Sequence, residues 1–105
     1  MVEVVQAAKR MGLCHDPSGF FVIFLDREEI VVEHYLNVRK GGKVVTGRLN
    51  KIVRGRDAEA LCHTIVREEL VSRLDHAAYL GCELQKAEIA LRKGLKYEQD
   101  ELLCF

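Results

Sequence analysis

Residues 20–25 read FFVIFL, and this run of six apolar side chains decides the fold. Aromatic and β-branched residues favour strands, and a strand without polar positions is typical of one that is buried on both faces. The run follows a turn cluster at residues 15–19, in which Pro17 limits φ and Gly19 permits positive φ. We therefore predict a central strand at 20–25 whose two faces both need cover.

Two further strands are predicted immediately after it, at residues 30–36 and 44–53. Short polar turns separate the three runs, and the Gly-Gly pair at 41–42 supplies positive φ for the second turn. Consecutive strands joined by short turns form an antiparallel meander. Gly47, inside the third run, predicts a bulge or a bend there.

The hydrophobic period changes from two to 3.6 after Gly55, which indicates that helices follow the strands. Apolar residues recur at helical spacing over 58–70 and again over 72–93. Asp57 is predicted to cap the first helix, and Gly94 is a natural residue to end the second.

The start of the second helix is predicted from a different signal. Ser72, followed three residues later by Asp75, approximates a capping box, with Asp where Glu or Gln is usual. The helix would begin after Ser72.

The predicted fold is a single α+β domain over residues 1–105, consisting of a three-stranded antiparallel meander followed by two helices packed on one face. Residues 1–14 have a helix-like spacing of apolar side chains, and a strand at the sheet edge is the alternative. The helices cover one face of the sheet only. The N-terminal segment or a second copy of the chain would cover the other face, and the second possibility predicts a homodimer.

Composition excludes several classes of protein. The 16 basic and 16 acidic residues give a formal net charge of zero, whereas proteins that bind nucleic acid electrostatically carry a basic surplus. A short basic stripe along the third strand lacks aromatic side chains for stacking on bases. No apolar run reaches the length of a membrane span, and the N-terminus has no signal-peptide pattern. We therefore expect a cytoplasmic protein without a nucleic-acid or membrane partner.

The four cysteines do not form a recognisable metal or redox motif. No Cys-x-x-Cys pair occurs, so free thiols in a reducing compartment are expected, with Cys62 and Cys82 acting as small core residues. Two Cys-His dipeptides occur, at 14–15 and 62–63, but structural zinc sites usually leave two or more residues between ligands. Cys62 and His63, as neighbours on a helix, would also point in different directions. No metal is expected.

The first candidate site is the turn Arg54-Gly55-Arg56-Asp57, where the third strand becomes a helix. A helix start offers unpaired N–H groups and attracts anions. Two arginines add bidentate donors for carboxylate or phosphate, and Gly55 lets a ligand approach the backbone closely. The alternative is structural: Asp57 caps the helix and the arginines pair with nearby acids.

The second candidate site lies on the last helix, where His76, Tyr79 and Glu83 share one face. A His beside a carboxylate can act as an acid or a base near neutral pH, and Tyr79 could stack on an aromatic ligand. The alternative is a polar outer stripe or a dimer seam. No nucleophile accompanies these residues, so the sequence favours a binding domain over an enzyme and predicts no catalytic residue.

Several stretches resemble an uncharacterised domain family of archaea and cyanobacteria. The resemblance covers about residues 15–100, and it is carried by residues 16–23, 33–35, 53–61, 70–81, 83–84 and 87–88. Members similar to this chain also occur fused to proteins that resemble dihydropteroate synthase. The resemblance implies no assigned catalytic residue, but it implies a context in pterin or one-carbon metabolism and suggests a pterin as the cofactor or ligand.

The function predicted from the residues and this resemblance together is binding of a small anionic or pterin-like ligand. Arg54 and Arg56 would hold its carboxylate or phosphate, and Tyr79 would stack on its ring. Glu83 or Asp75 would accept hydrogen bonds from the ring edge. The alternative function is a docking or dimerisation module for a pterin-dependent enzyme, with no ligand of its own. An enzyme that uses His76 as acid or base ranks third.

Overall fold

The computed structural model describes residues 19–41, 43–99 and 103–104, and it contains one antiparallel sheet and two helices. The sheet order is β3-β2-β1-β4. The elements are β1 (Gly19–Asp26), β2 (Glu29–Lys40), β3 (Lys43–Gly55), α1 (Ala58–Arg67), α2 (Leu74–Lys93) and β4 (Leu103–Cys104). The predicted α+β meander with two following helices is confirmed. The element predicted over residues 1–14 lies outside the described residues.

A short fourth strand, which the sequence did not predict, extends the meander at the free side of β1. Phe20 pairs with Cys104 and Phe21 with Leu103. β1 therefore pairs with β2 on one side and with β4 on the other. A two-residue strand carries little periodicity, so its sequence offers no signal of its own.

The bulge or bend that was predicted in the third strand does not lie at Gly47. Gly47 pairs in register with Asn37, and the register shifts lie between His34 and Tyr35 and between Val38 and Arg39 of β2. The first shift leaves Asn50 without a ladder partner, since His34 pairs with Lys51 and Tyr35 with Leu49. The side chain of Asn50 instead reaches His34.

The main core lies between the helices and one face of the sheet. Alternate residues of β1 and β2 point towards the helices, as the two-residue period of a strand requires. The largest fully buried side chains of this core are Phe21, Ile30, Val32, Ile65, Leu80 and Leu84.

The opposite face of the sheet is buried at one end. Phe20 and Tyr35 are buried there, and their rings stack with their centroids 5.0 Å apart. Val31, which pairs with Phe24 further along the strand, is also buried. Burial of both Phe20 and Phe21 confirms the prediction that the run 20–25 is covered on both faces at its start. At its other end Phe24 is exposed on this second face.

The predicted ends of the helices are confirmed at two of three places. Asp57 caps α1, because its Oδ1 accepts the backbone N–H of Glu59 at 3.0 Å. Gly94 ends α2 in the left-handed conformation, with φ of 67°. The capping box at Ser72 is wrong. Arg73 occupies the N-cap of α2 without a side-chain cap bond, since Asp75 pairs with Arg73 instead of reaching back to Ser72.

The two cysteines predicted for the core differ in burial. Cys62 of α1 is half-buried, and its Sγ lies 4.0 Å from the carbonyl oxygen of Ala77 in α2. Cys82 is exposed, because it lies on the side of α2 that faces away from the sheet. Burial raises the pKa of the Cys62 thiol. Neither described helix is both long and apolar enough to cross a bilayer.

Candidate functional site

The orientation of the two helices decides which predicted residues come together. The backbone N–H of Ala58 donates to Glu88 Oε1 at 3.1 Å, and a Cβ at Gly81 would lie 3.9 Å from Cys62 Sγ. The start of α1 therefore lies beside the last turns of α2, and the helices run antiparallel. Glu88 and His76 are about 18 Å apart along the axis of α2 at 1.5 Å per residue.

The arginines of the first predicted site pair with the acidic turn that joins β1 to β2. Arg54 donates to Asp26 at 2.6 Å and to Glu29 at 3.4 Å. Arg56 donates to Glu28 at 3.0 Å. The antiparallel register, which pairs Ile30 with Gly55, brings these groups side by side.

Gly55 has a packing reason to be glycine. A Cβ at this position would meet the side chain of Leu61 at 3.2 Å, a separation tighter than ordinary van der Waals contact. The first turn of α1 therefore packs into the space that the missing Cβ of Gly55 leaves open. The N–H groups of that turn are also engaged, with Asp57 accepting from Glu59 and Glu88 accepting from Ala58.

A cavity of about 460 Å³ opens at this junction. It brings together two arginines and one apolar residue, and its lining residues are Glu28, Arg56, Asp57, Leu91 and Arg92. Arg92 also lies 3.5 Å from Glu88 on its own helix.

Three of these lining residues, Glu28, Leu91 and Arg92, were not predicted as site residues. The charged turn around Glu28 and the basic end of α2 are both visible in the sequence. Only the antiparallel packing of the helices shows that the two lie together.

The second predicted group does not line this cavity, and its members have three different surroundings. Arg73 makes a bidentate pair with Asp75, and this hydrogen bonding lowers the pKa of the Asp75 carboxyl. His76 is half-buried and Tyr79 is exposed. Glu83, in contrast, is only 5% exposed and accepts a hydrogen bond from the hydroxyl of Tyr97 at 2.7 Å.

The eight predicted ligand-binding residues thus lie at three separate places. Residues 54–57 lie at the start of α1, whereas Asp75, His76 and Tyr79 lie towards the opposite end of the helical hairpin. Glu83 is in the middle of α2 and points towards the segment that follows it. The start of α1 lies beside the last turns of α2 and not beside its first turn, because the helices are antiparallel.

Two other polar clusters were not predicted from the sequence. The Gln99 side chain bonds the backbone of β1 twice, accepting from Ile23 N at 3.0 Å and donating to Phe21 O at 3.1 Å. His34 is buried beside Asn50. Within the described ranges, no group of three or more His, Cys, Asp or Glu side chains could hold a metal ion.

Comparison with known proteins places the chain among uncharacterised relatives. The PterinBD-DUF4346 family matches residues 15–100. The uncharacterised protein MJ0107 of Methanocaldococcus jannaschii is 42% identical over 84 residues, which cover 79% of this chain but 15% of that protein. The Ycf91-like protein of Nostoc is 37% identical, with 81% of this chain and 83% of that protein covered.

A third relative, the uncharacterised protein ycf91 of Porphyra purpurea, is 32% identical over 81% of this chain and 70% of its own length. No solved structure matches. The archaeal and cyanobacterial relatives confirm the resemblance noted in the sequence. Because the family match covers most of the chain, this protein belongs to the PterinBD-DUF4346 family.

Proposed function

We infer that this domain binds a small anionic or pterin-like ligand in the cavity at the start of α1. The observation that carries the inference is that two arginines, Arg56 and Arg92, line one cavity together with the apolar residue Leu91. Guanidinium groups bind carboxylate and phosphate through paired hydrogen bonds. Leu91 adds one apolar side chain to a lining that is otherwise charged, which suits a polar, anionic ligand.

Arg56 is the better anion ligand of the two predicted arginines. Its side chain is 70% exposed and holds one carboxylate, Glu28, which is itself exposed. Exposed ion pairs of this kind contribute little to stability, so a ligand anion can replace Glu28 at small cost. Arg54 is held by two carboxylates at once, Asp26 and Glu29.

The carboxylates that line the cavity suit the ring edge of a pterin, whereas the arginines suit an anionic group of the ligand. The ring edge of a pterin presents N–H donors, and ionised carboxylates accept from such donors. Glu28 and Asp57 line the cavity and could accept them. In this arrangement Leu91 replaces Tyr79 as the surface against which the ring packs. The name of the PterinBD-DUF4346 family refers to a pterin, which supports this class of ligand.

The test compares two arginine substitutions in a binding assay. Thermal shift and calorimetry would use a reduced pterin and, separately, inorganic phosphate. Ligand at about 100 times its Kd should stabilise the wild type by about 2.7 kcal/mol. Arg56→Ala is expected to weaken binding about tenfold or more with little loss of stability, because its ion pair is exposed.

Arg73→Ala is the matched control, since Arg73 is a similarly exposed arginine paired with Asp75 at the other end of the helical hairpin. It should bind as the wild type does. Equal loss of stability and binding in Arg56→Ala would show a structural arginine, and a wild type that neither probe stabilises would contradict the proposal.

A second function, docking onto a pterin-dependent enzyme, is favoured by a different surface. On the sheet face opposite the helices, Phe24, Leu49 and Ile52 are exposed, and their paired positions in the register place them on one side. The archaeal relative is also much longer than this chain, which covers 15% of it. Copurification with a pterin-dependent enzyme that is lost in Ile52→Asp would support this function, and copurification unaffected by the change would exclude this surface.

A further inference from the structure

The outward side of α2 carries a line of exposed residues at heptad spacing. Successive members are separated by four, three, four, three and four positions, and they are Asp75, Tyr79, Cys82, Lys86, Ile89 and Lys93. This spacing keeps one seam of side chains in line along a helix that packs against another helix. The buried residues Leu80, Leu84 and Ala87 occupy the opposite side. We call these six residues the outer seam.

The outer seam combines three charged residues with exposed apolar ones. Tyr79 and Ile89 are exposed within it, and Leu74, which is 91% exposed, and Ala78 flank its beginning. An amphipathic surface helix normally places polar residues opposite its core stripe. Exposed apolar side chains that are surrounded by polar ones are found at interaction sites in many soluble proteins.

The charges of the outer seam are complementary to a reversed copy of itself. The acidic Asp75 lies in the first turn of α2 and the basic Lys93 in the last turn. Residue 84 is the midpoint between Asp75 and Lys93 along the helix. If two copies of α2 pack antiparallel through their outer seams, with a twofold axis at the level of residue 84, Asp75 of each copy faces Lys93 of the other. The same alignment places Tyr79 against Ile89, and the twofold axis makes each contact twice.

We propose that two copies of this chain form a homodimer through the outer seam, with their α2 helices antiparallel. The partner is a second copy because the complementary charges and apolar groups occur on one helix at matching distances from its centre. The zero net charge of the chain adds no overall repulsion between copies. None of the residues that line the α1 cavity belongs to the outer seam.

The first test compares one substitution on two surfaces. Ile89 is 52% exposed in the outer seam, and Ile52 is 45% exposed on the sheet face opposite the helices. Sedimentation equilibrium should show a dimer for the wild type and for Ile52→Ser. Ile89→Ser should raise the dimer Kd at least about tenfold, because an isoleucine is lost from both sides of the interface.

The second test addresses the antiparallel alignment. Asp75→Lys and Lys93→Asp each place like charges opposite one another and should weaken the dimer. The double variant exchanges the charges and should restore it towards the wild-type Kd. All positions are exposed, and circular dichroism would confirm that each variant folds.

Three results would overturn the proposal. The wild type could sediment as a monomer throughout the concentration range. Ile52→Ser, and not Ile89→Ser, could dissociate the dimer, which would assign the interface to the sheet. The double charge exchange could fail to restore association, which would exclude the antiparallel alignment.

Discussion

His34 is a buried imidazole in the middle of the sheet, and its surroundings favour the neutral form. Its Nδ1 lies 3.0 Å from the Asn50 side-chain nitrogen, which donates to it, and its ring lies 4.7 Å from that of Phe21. Burial lowers its pKa from the ordinary value of 6.5. Protonation would convert the accepting nitrogen into a donor and place a charge among apolar side chains.

This burial predicts that the free energy of unfolding falls as the pH is lowered. Well above pH 6.5, His34 is neutral in both the folded and the unfolded state, and the fold retains its full stability. As the pH falls below that value, the unfolded chain takes up the proton first, so stability is lost until the folded pKa is passed. Urea unfolding from pH 7 down to about pH 5, within the range in which histidines titrate, should show this slope.

The control uses an exposed histidine. His34→Gln should flatten the slope, whereas His63→Gln, on the outer side of α1, should keep it. A slope equally steep in both variants would assign the pH dependence to other groups.

The buried side chain of Glu83 accepts a hydrogen bond from a residue beyond its own helix. Tyr97→Phe removes the hydroxyl that donates to it at 2.7 Å. Leaving a buried polar group without its hydrogen-bond partner costs about 1–3 kcal/mol. Urea unfolding should show a loss of that size in Tyr97→Phe and almost none in Tyr79→Phe, which removes an exposed hydroxyl. Equal effects would show that the Glu83 contact adds no stability.

At the scale of single elements, two glycines of α2 differ in how well their positions would tolerate a side chain. Gly94 ends the helix with φ of 67°, a conformation that is strained for residues with a Cβ. Gly81 lies inside the helix, where an added Cβ would meet Cys62 Sγ at an ordinary 3.9 Å.

Alanine at the two positions should therefore change stability in opposite directions. Gly94→Ala is expected to cost about 1 kcal/mol, whereas Gly81→Ala should stabilise by up to about 1 kcal/mol through its higher helix propensity. Thermal unfolding of the two variants measures both signs. Destabilisation by Gly81→Ala would show that α1 and α2 pack more closely there than the 3.9 Å contact indicates.

On the scale of the whole molecule, the segment after α2 joins the end of the chain to its first described strand. Gln99 bonds Ile23 and Phe21 through its side-chain amide, and β4 pairs with the same strand. The amide thus acts like a short piece of strand at the edge of β1. Edge strands left open are sites of unwanted pairing, so this contact also protects the sheet.

Gln99→Ala should expose the amide of Ile23, because the Gln99 oxygen is its acceptor. Hydrogen exchange at this amide should become faster, and the free energy of unfolding should fall by about 1–2 kcal/mol for the two bonds. Gln85→Ala, at an exposed position of α2, is the control and should change neither quantity. Unchanged exchange at Ile23 would show that other contacts protect this edge.

The sequence by itself determined the local elements of this protein. Three strands, two helices, the Asp57 cap and the Gly94 end follow from patterns within a few residues, because side-chain period and backbone preference act at that range. The capping box at Ser72 failed because the local pattern could not show that Asp75 would pair with Arg73. The chain also contains no local signal for β4.

Only the tertiary structure decided which polar groups meet. Arg56 and Arg92 line one cavity because α1 and α2 pack antiparallel. The buried Glu83 accepts a hydrogen bond from Tyr97, which follows the end of the helix. The same packing separates Tyr79 from the arginines with which the sequence had grouped it. Contacts between residues far apart in the chain depend on how whole elements bury their apolar faces together, and the orientation of one element against another is not encoded in the pattern of either alone.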